Sequence, residues 1–295
     1  MPYRLQHRVL LLFLLGLRAF SPLGANEIRV VGTDLLGVEF SRALHQFAGE
    51  NNFRLNLAFD GSRPARDALL ARKADVALLT LPAREEVFDP AFRVTAVAYH
   101  RVLVLAPAAS PLERITFAEL ENIFGDAAMA TAPRINVETP PERSAPPTLV
   151  PVVPEVGVGV GVEYFRHTVL RGGGFKPRVV RYRDLAALGR HFEGESPVLA
   201  LATALPAQAM RMKMVAVARK TGEPAFLPTP ENLHGGDYPL ALPVRLVFRA
   251  EALARLRPLL CFVAGHGAAP HFERAGVVPL PAALRAQQLE ALAKM

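Results

Sequence analysis

The chain has 295 residues, of which 51% are hydrophobic and 21% charged, so it can build one large or two ordinary domains and is not disordered throughout. Its single cysteine, Cys261, excludes an intrachain disulfide framework and a cysteine-based zinc site. The net charge is +7, and three of those charges are arginines in residues 1–25, a stretch without acids. Since no Lys/Arg-rich run occurs, we expect no nucleic-acid partner; the small positive excess suits a small anion.

Residues 1–25 are typical of a secretory signal peptide. Arg4 and Arg8 precede the apolar run Val9–Leu17, and Ser21–Ala25 forms a short polar-to-small segment where cleavage can follow Ala25. The alternative, a membrane anchor, is disfavoured because the run before Arg18 is too short to span a bilayer. The pattern therefore predicts a periplasmic or secreted protein once the signal peptide is removed.

Strand and helix patterns alternate along the first hundred residues. Apolar or alternating stretches predict strands at 28–31, 53–59, 76–79, 92–98 and 102–105, and helical spacing predicts helices at 35–47 and 64–72. This βαβαβ order predicts an α/β layer with a largely parallel sheet.

A second unit follows this first layer. Thr116 and Glu119 form a capping box ahead of a helix at 116–124, whereas the proline-rich stretch 132–154 predicts a surface excursion or an extended strand. The remaining predicted elements are helices at 162–170 and 184–192, strands at 178–182, 198–202, 214–218 and 243–248, a loop at 223–237, and terminal helices at 251–264, 270–275 and 282–293.

Three predicted strands end in small or hydroxyl residues. Gly32-Thr33 follows the first strand, Gly61-Ser62 the second and Thr80 the third. Helix N-termini offer free N–H groups to anions, and the carboxyl ends of neighbouring parallel strands meet at one edge of a sheet. We therefore take these five residues as candidate ligand contacts. The alternative is that each hydroxyl merely caps a helix.

The run from Gly157 to Gly161 is a further candidate. Gly159, Val160 and Gly161 precede the predicted helix at 162–170, as in a phosphate-binding loop, although the run has neither the lysine of a P-loop nor the full dinucleotide-binding spacing. A flexible entry to the helix explains it equally well. The chain contains no familiar catalytic or metal-binding motif, so we expect no enzyme activity, no metal and no cofactor.

In their order along the chain, these segments resemble the phosphate-type solute-binding proteins of bacterial ABC transporters. Gly32-Thr33 and Gly61-Ser62 are similar to the first two ligand loops of that family, and Thr80 falls at a third contact. The motif carried by Thr116–Gly125 is the most specific match, and the segments Ala74–Ala77, Val102–Leu112, Tyr238–Leu240, Phe262-Val263 and Gly276–Pro281 follow in the family's order.

The resemblance implies a type 2 periplasmic-binding-protein fold, with two α/β lobes, two hinge crossings and a ligand cleft between the lobes. Lobe I would comprise residues 26–107 and 238–295, and lobe II residues 108–237. It also implies a monomer that binds a small anion, phosphate or another oxyanion, and delivers it to an ABC-transporter permease.

The second lobe departs from the family's pattern. The family carries an arginine followed by Ser-Gly-Thr at a helix start, but residues 153–162 here contain Glu155 and valines instead. The loss of two or three charge-assisted hydrogen bonds would weaken phosphate binding by about two to six orders of magnitude. The alternative function is thus a sensor or accessory domain that has lost phosphate binding.

Overall fold

The structure, a computed structural model, describes residues 27–82, 85, 89–126, 149–155, 160–194, 197–207 and 209–294. The predicted signal peptide, Gly159 and residues 132–148 of the proline-rich stretch lie outside these ranges. The strands are β1 (Glu27–Gly32), β2 (Arg54–Ala58), β3 (Val76–Leu79), β4 (Phe92–Arg101), β5 (Leu103–Pro107), β6 (Arg114–Thr116), β7 (Val150–Pro154), β8 (Val180–Tyr182), β9 (Val198–Ala202), β10 (Met212–Met214), β11 (Ala216–Ala218), β12 (Ala241–Arg249) and β13 (Val278–Pro279).

The strands form two main sheets. One has the order β13-β4-β12-β3-β1-β2, and the other β10-β5-β9-β7-β8, while β6 and β11 pair separately. In each sheet a parallel group, β2-β1-β3 or β8-β7-β9, continues into antiparallel neighbours. The predicted α/β fold with two lobes is confirmed. The expected largely parallel sheet is wrong, because three of the five strand pairings described in the six-stranded sheet are antiparallel.

Helices cover both sheets. They are α1 (Gly37–Glu50), α2 (Ser62–Leu70), α3 (Phe117–Phe124), α4 (Val160–Thr168), α5 (Leu185–His191), α6 (Pro230–Gly235), α7 (Leu253–Ala264), α8 (Ala269–Arg274) and α9 (Ala282–Lys294). The main apolar cluster of the six-stranded sheet includes Phe40 of α1 and Leu260 of α7, and that of the five-stranded sheet includes Phe124 of α3 and Phe165 of α4. Each lobe thus has a core of its own. No helix in the described ranges combines the length and the apolar run needed to cross a bilayer.

Local signals in the sequence set several of these boundaries. The Thr116 hydroxyl accepts the Glu119 N–H while the Glu119 carboxylate accepts the Thr116 N–H, which is the predicted capping box. The prediction of a loop over 223–237 is wrong in part, because residues 230–235 form α6. Thr229 caps that helix, Pro230 occupies its first turn, and Gly236 ends it at a φ of 78°.

The last residues of the proline-rich stretch form β7, which lies between β8 and β9. The Val150 N–H donates towards β9 and the Glu155 N–H towards β8, so the donor positions alternate between the two neighbours. Pro151 faces β8, but the pairing of β7 with β8 begins only at Val152. Pro154 faces β9, but the pairing of β7 with β9 has already ended at Val152. Neither missing N–H therefore removes a hydrogen bond from the sheet.

The chain passes between the two sheets at two adjacent segments. β4 and β5 belong to different sheets and are separated only by Val102, and the return passage precedes β12. The Val102 N–H donates to the Leu240 carbonyl at 3.0 Å, and the buried Tyr238 hydroxyl donates to the Val102 carbonyl at 2.6 Å. Since the predicted boundary at 107 would leave β5 in lobe I although it pairs with β9 and β10, we place the first crossing at Val102.

Candidate functional site

The turns after β1, β2 and β3 are hydrogen-bonded to one another at one edge of the six-stranded sheet. The Gly61 N–H donates to the Gly32 carbonyl at 3.0 Å, and the Thr80 N–H donates to the Ser62 hydroxyl at 2.9 Å. Because the Ser62 oxygen is the acceptor there, its proton remains free to donate. The Thr80 hydroxyl is buried and has no hydrogen-bond partner among the described residues. These two hydroxyls are therefore the candidate donors of this lobe.

Gly32 and Thr33 have structural roles in this turn. A Cβ at Gly32 would lie 2.7 Å from the Leu78 carbonyl oxygen and 2.9 Å from the Phe59 ring. The glycine is therefore needed for the close packing of β1 against these two residues, and ligand contact is not required to explain it. The Thr33 side chain is fully buried, and its hydroxyl accepts the Leu35 N–H at 3.4 Å. Neither residue lines the cleft described next, although Asp34 does.

A cleft of about 1130 Å³ separates this edge from α4. Its first wall contains Gly61, Ser62 and Thr80, together with their neighbours in the two turns. Gly61 has a φ of 118°, a conformation that favours glycine, and α2 begins immediately after it. The first turn of α2 therefore lies at the cleft wall, where helix N–H groups are unpaired by the helix itself.

The second wall is one face of α4 and the residues that follow it. Val160, Tyr164 and Thr168 line the cleft at helical spacing, as do Glu163 and His167. The sequence reading selected Val160 but missed the others, which the spacing of three and four residues along the predicted helix could have indicated. The Tyr164 hydroxyl donates to the Ala241 carbonyl at 3.0 Å, which fixes its ring in the wall.

Gly161 lies in the first turn of α4 but faces away from the cleft lining. A Cβ there would lie 2.7 Å from the Thr203 methyl carbon and 3.0 Å from Nε2 of His100. His100 is the penultimate residue of β4, so this contact joins α4 of one lobe to a strand of the other. The glycine is explained by this close packing, whereas Gly159 lies outside the described residues.

Burial determines the state of His100. The side chain is 4% exposed and its Nε2 has no hydrogen-bond partner in the described structure. Burial, with a smaller contribution from the neighbouring Arg101 charge, lowers the pKa of His100 to about 4. The imidazole is therefore neutral at pH 7.

The charged groups in the cleft walls are largely paired. Arg63 bonds Glu85 at 2.8 Å, Arg166 bonds Glu163 at 3.1 Å, and Arg171 lies 3.6 Å from Glu121. With Asp34 included, the described lining and its partners hold four carboxylates and three guanidinium groups. These ion pairs therefore give the described walls no excess of arginine, whereas the N-termini of α2 and α4 favour negative charge.

Comparison with known proteins gives structural but no sequence-level matches. No family model matches the chain, and neither does any curated protein. A possible phosphate binding protein from Planctomyces limnophilus is similar at 18% identity and a TM-score of 0.67, covering 92% of this chain and 99% of its own. PstS from Borrelia burgdorferi is similar at 10% identity and a TM-score of 0.65, with 86% and 99% covered. An ABC-type phosphate transport receptor from Vibrio cholerae has 12% identity, a TM-score of 0.62, and 86% and 100% covered.

These likenesses cover 86–92% of this chain and nearly all of each neighbour. The chain has the fold of the phosphate-type periplasmic binding proteins. The resemblance drawn from the ordered sequence motifs is confirmed for the fold, and these neighbours are binding and receptor proteins.

The second lobe of this periplasmic-binding-protein fold keeps a helix start but not the family's arginine. Arg166, a candidate replacement in α4, is paired with Glu163, and Arg134 and Arg143 lie outside the described residues. Glu155 directly follows β7, pairs with Arg183 at 3.3 Å and does not line the cleft. Among the described residues, no group of His, Cys, Asp or Glu could hold a metal ion.

Proposed function

We propose that the chain is an exported solute-binding protein that holds a small anion in the cleft between its lobes. The observation that supports this most is the meeting of two nine-residue helices, α2 and α4, whose first turns both border the cleft. Free N–H groups and the positive ends of two helix dipoles favour an anion there. Ser62 and Thr80 add hydroxyl donors on the first wall.

Contacts proposed for the anion include the N–H groups of Ser62 and Arg63 in α2. Pro64, the third residue of α2, has no N–H, and the Ala65 N–H already donates to the Gly61 carbonyl. On the α4 side, the N–H groups of residues 160–162 are the matching donors. Of the candidate contacts from the sequence, four lie on the described lining, namely Gly61, Ser62, Thr80 and Val160, and we propose supporting positions for Gly32, Thr33 and Gly161.

The proposal extends to location and partner. The signal-peptide pattern supports removal of residues 1–25 on export. The fold supports a monomer that delivers the solute to an ABC-transporter permease. Inorganic phosphate should bind weakly, because the arginines in the described cleft walls already have carboxylate partners. This pairing also favours the second candidate function, a sensor or accessory protein without phosphate binding.

Isothermal titration of the mature protein against phosphate, sulfate and small carboxylates tests the proposal. Ser62→Ala should weaken binding of an anion about 10-fold to 100-fold, since a hydrogen bond to a charged group is lost. Val160→Ser should leave that affinity unchanged or raise it, because it adds a donor. Ser41→Ala is the matched control, since Ser41 lies on α1 and its hydroxyl donates to the Gly37 carbonyl. Absence of binding to every anion would refute the proposal, and submicromolar phosphate binding would refute the expected weakness.

A further inference from the structure

The cleft is larger than a single inorganic oxyanion requires. Its volume of about 1130 Å³ exceeds the range of about 300–1,000 Å³ that is typical of sites for drug-sized organic ligands. A lone tetrahedral ion at the first turns of α2 and α4 would leave most of this volume to water. The size therefore favours an anion that carries a larger body.

The part of the lining beyond the hydroxyls is apolar. Leu81 and Leu242 are buried residues that border the cleft, and Pro82 and Val160 lie half-buried beside it. The Tyr164 hydroxyl is committed to the Ala241 carbonyl, so the aromatic ring is the part of this residue left to contact a ligand. Such a wall stabilises a hydrocarbon group by removing it from water and offers nothing to the outer oxygens of a hydrated oxyanion.

The ion pairs of the described walls favour a ligand with one negative charge over a dianion. Four carboxylates and three guanidinium groups leave the described walls with no positive excess. The two helix N-termini contribute about half an elementary charge each, so together they balance roughly one negative charge. A dianion such as hydrogen phosphate would keep the second charge uncompensated in a partly desolvated site.

We propose that the natural ligand is a small organic monocarboxylate, with its carboxylate at the first turns of α2 and α4. Its hydrocarbon body lies against Leu81, Leu242 and Tyr164 and against the Val160 side chain. This inference rests on the proposed function, because it names the ligand class of the same cleft. The Ser62 and Thr80 hydroxyls donate to the carboxylate oxygens. The apolar wall determines which carboxylates bind best.

Titration of the mature protein with acetate, butanoate and hexanoate tests the ligand class in a phosphate-free buffer at pH 7.5. The affinity should rise about threefold to fourfold for each added methylene, the gain expected for burying that group. Hexanamide, which has the same body without the charge, should bind at least tenfold more weakly than hexanoate. Inorganic phosphate should also bind more weakly than hexanoate.

Two outcomes distinguish failure of the proposed ligand class from failure of the proposed anion-binding function. Binding of phosphate or acetate with no gain along the carboxylate series would overturn the ligand class and leave the anion-binding function standing. Failure of every anion to bind, or equal binding of hexanamide and hexanoate, would overturn both.

A variant pair provides a second readout. Val160→Ser replaces an apolar wall residue with a donor, so it should lower the hexanoate-to-acetate affinity ratio about threefold or more. Val38→Ser, at a 72%-exposed position on α1 away from the cleft lining, should leave that ratio unchanged. An unchanged ratio in a folded Val160→Ser protein would contradict placement of the hydrocarbon body against this wall.

Discussion

Protonation of His100 should destabilise the folded protein at mildly acidic pH. The imidazole is buried beside the first turn of α4, and burial lowers its pKa from 6.5 to about 4. Between these two values the unfolded chain binds a proton that the folded chain does not, so the stability contribution is complete above pH 6.5 and is lost as the pH falls to about 4. The linkage relation gives a loss of about 2 kcal/mol between pH 8 and pH 5 from this residue alone.

His100→Met removes the titration and retains an apolar side chain of adaptable shape, because Nε2 of the histidine has no partner to lose. We expect its stability relative to the wild type to be about 2 kcal/mol more favourable at pH 5 than at pH 8. Urea unfolding followed by circular dichroism at both pH values measures this difference. Contributions from other titrating groups cancel in it.

The control for this experiment is His45→Met. His45 is an exposed residue of α1, so this variant makes the same substitution away from the buried site, and its difference between pH 5 and pH 8 is subtracted from that of His100→Met. A His100→Met effect that is the same at pH 5 and pH 8 would refute the reasoning, since it would mean that the buried imidazole accepts a proton as readily as it does in water.

Three further substitutions test the packing around the lobes. Gly161→Ala should destabilise the protein by about 1–3 kcal/mol because its Cβ would meet Thr203 and His100, whereas Gly49→Ala, with open space around it in α1, should stabilise it by up to about 1 kcal/mol; an equal effect in thermal unfolding would contradict the close contact. Tyr238→Phe should cost about 1–2 kcal/mol in urea unfolding by leaving the buried Val102 carbonyl without that donor, and the half-buried Tyr164→Phe should cost less; the reverse order would argue against the crossing contact. Burial alone would raise the pKa of Asp75, but hydrogen bonds from Arg29 and Arg255 outweigh it and lower that pKa. Asp75→Asn should therefore cost about 1–2 kcal/mol of stability at pH 7 and less below pH 3.8, whereas Asp67→Asn, at an exposed pair, should have no measurable effect. A cost for Asp75→Asn that does not fall with pH would count against this ion pair.

Local chemistry in the sequence predicted most of the elements and selected Gly61, Ser62 and Thr80, which border the cleft. That these residues contact a ligand stays a prediction. The capping box of Thr116 and the turns at Gly61-Ser62 and Thr80 depend on residues close together in the chain, so their patterns were sufficient. The same reasoning could not distinguish Thr33, whose hydroxyl caps a turn, from Ser62, whose proton remains free. Both have the same local pattern and differ in what surrounds them.

Contacts between distant segments were beyond the sequence. Nothing near Pro151 indicates that its strand lies inside a sheet, because the strand order depends on β8 and β9, which follow much later. The contact between Gly161 and His100 likewise joins two lobes that no local pattern relates. The charge of Arg171, which follows α4, was visible, but its pairing with Glu121 of α3 was not.

The contact between Gly161 and His100 holds the first turn of α4 against a strand of the other lobe. Since that turn lies against β4 and beside Val102, a rotation of one lobe relative to the other moves the two ends of the helix unequally. Thr168 is about 12 Å along the axis from Val160, so a ten-degree rotation displaces it by about 2 Å while Val160 hardly moves. A rotation between the lobes would therefore change the width of the cleft more at Thr168 than at Val160.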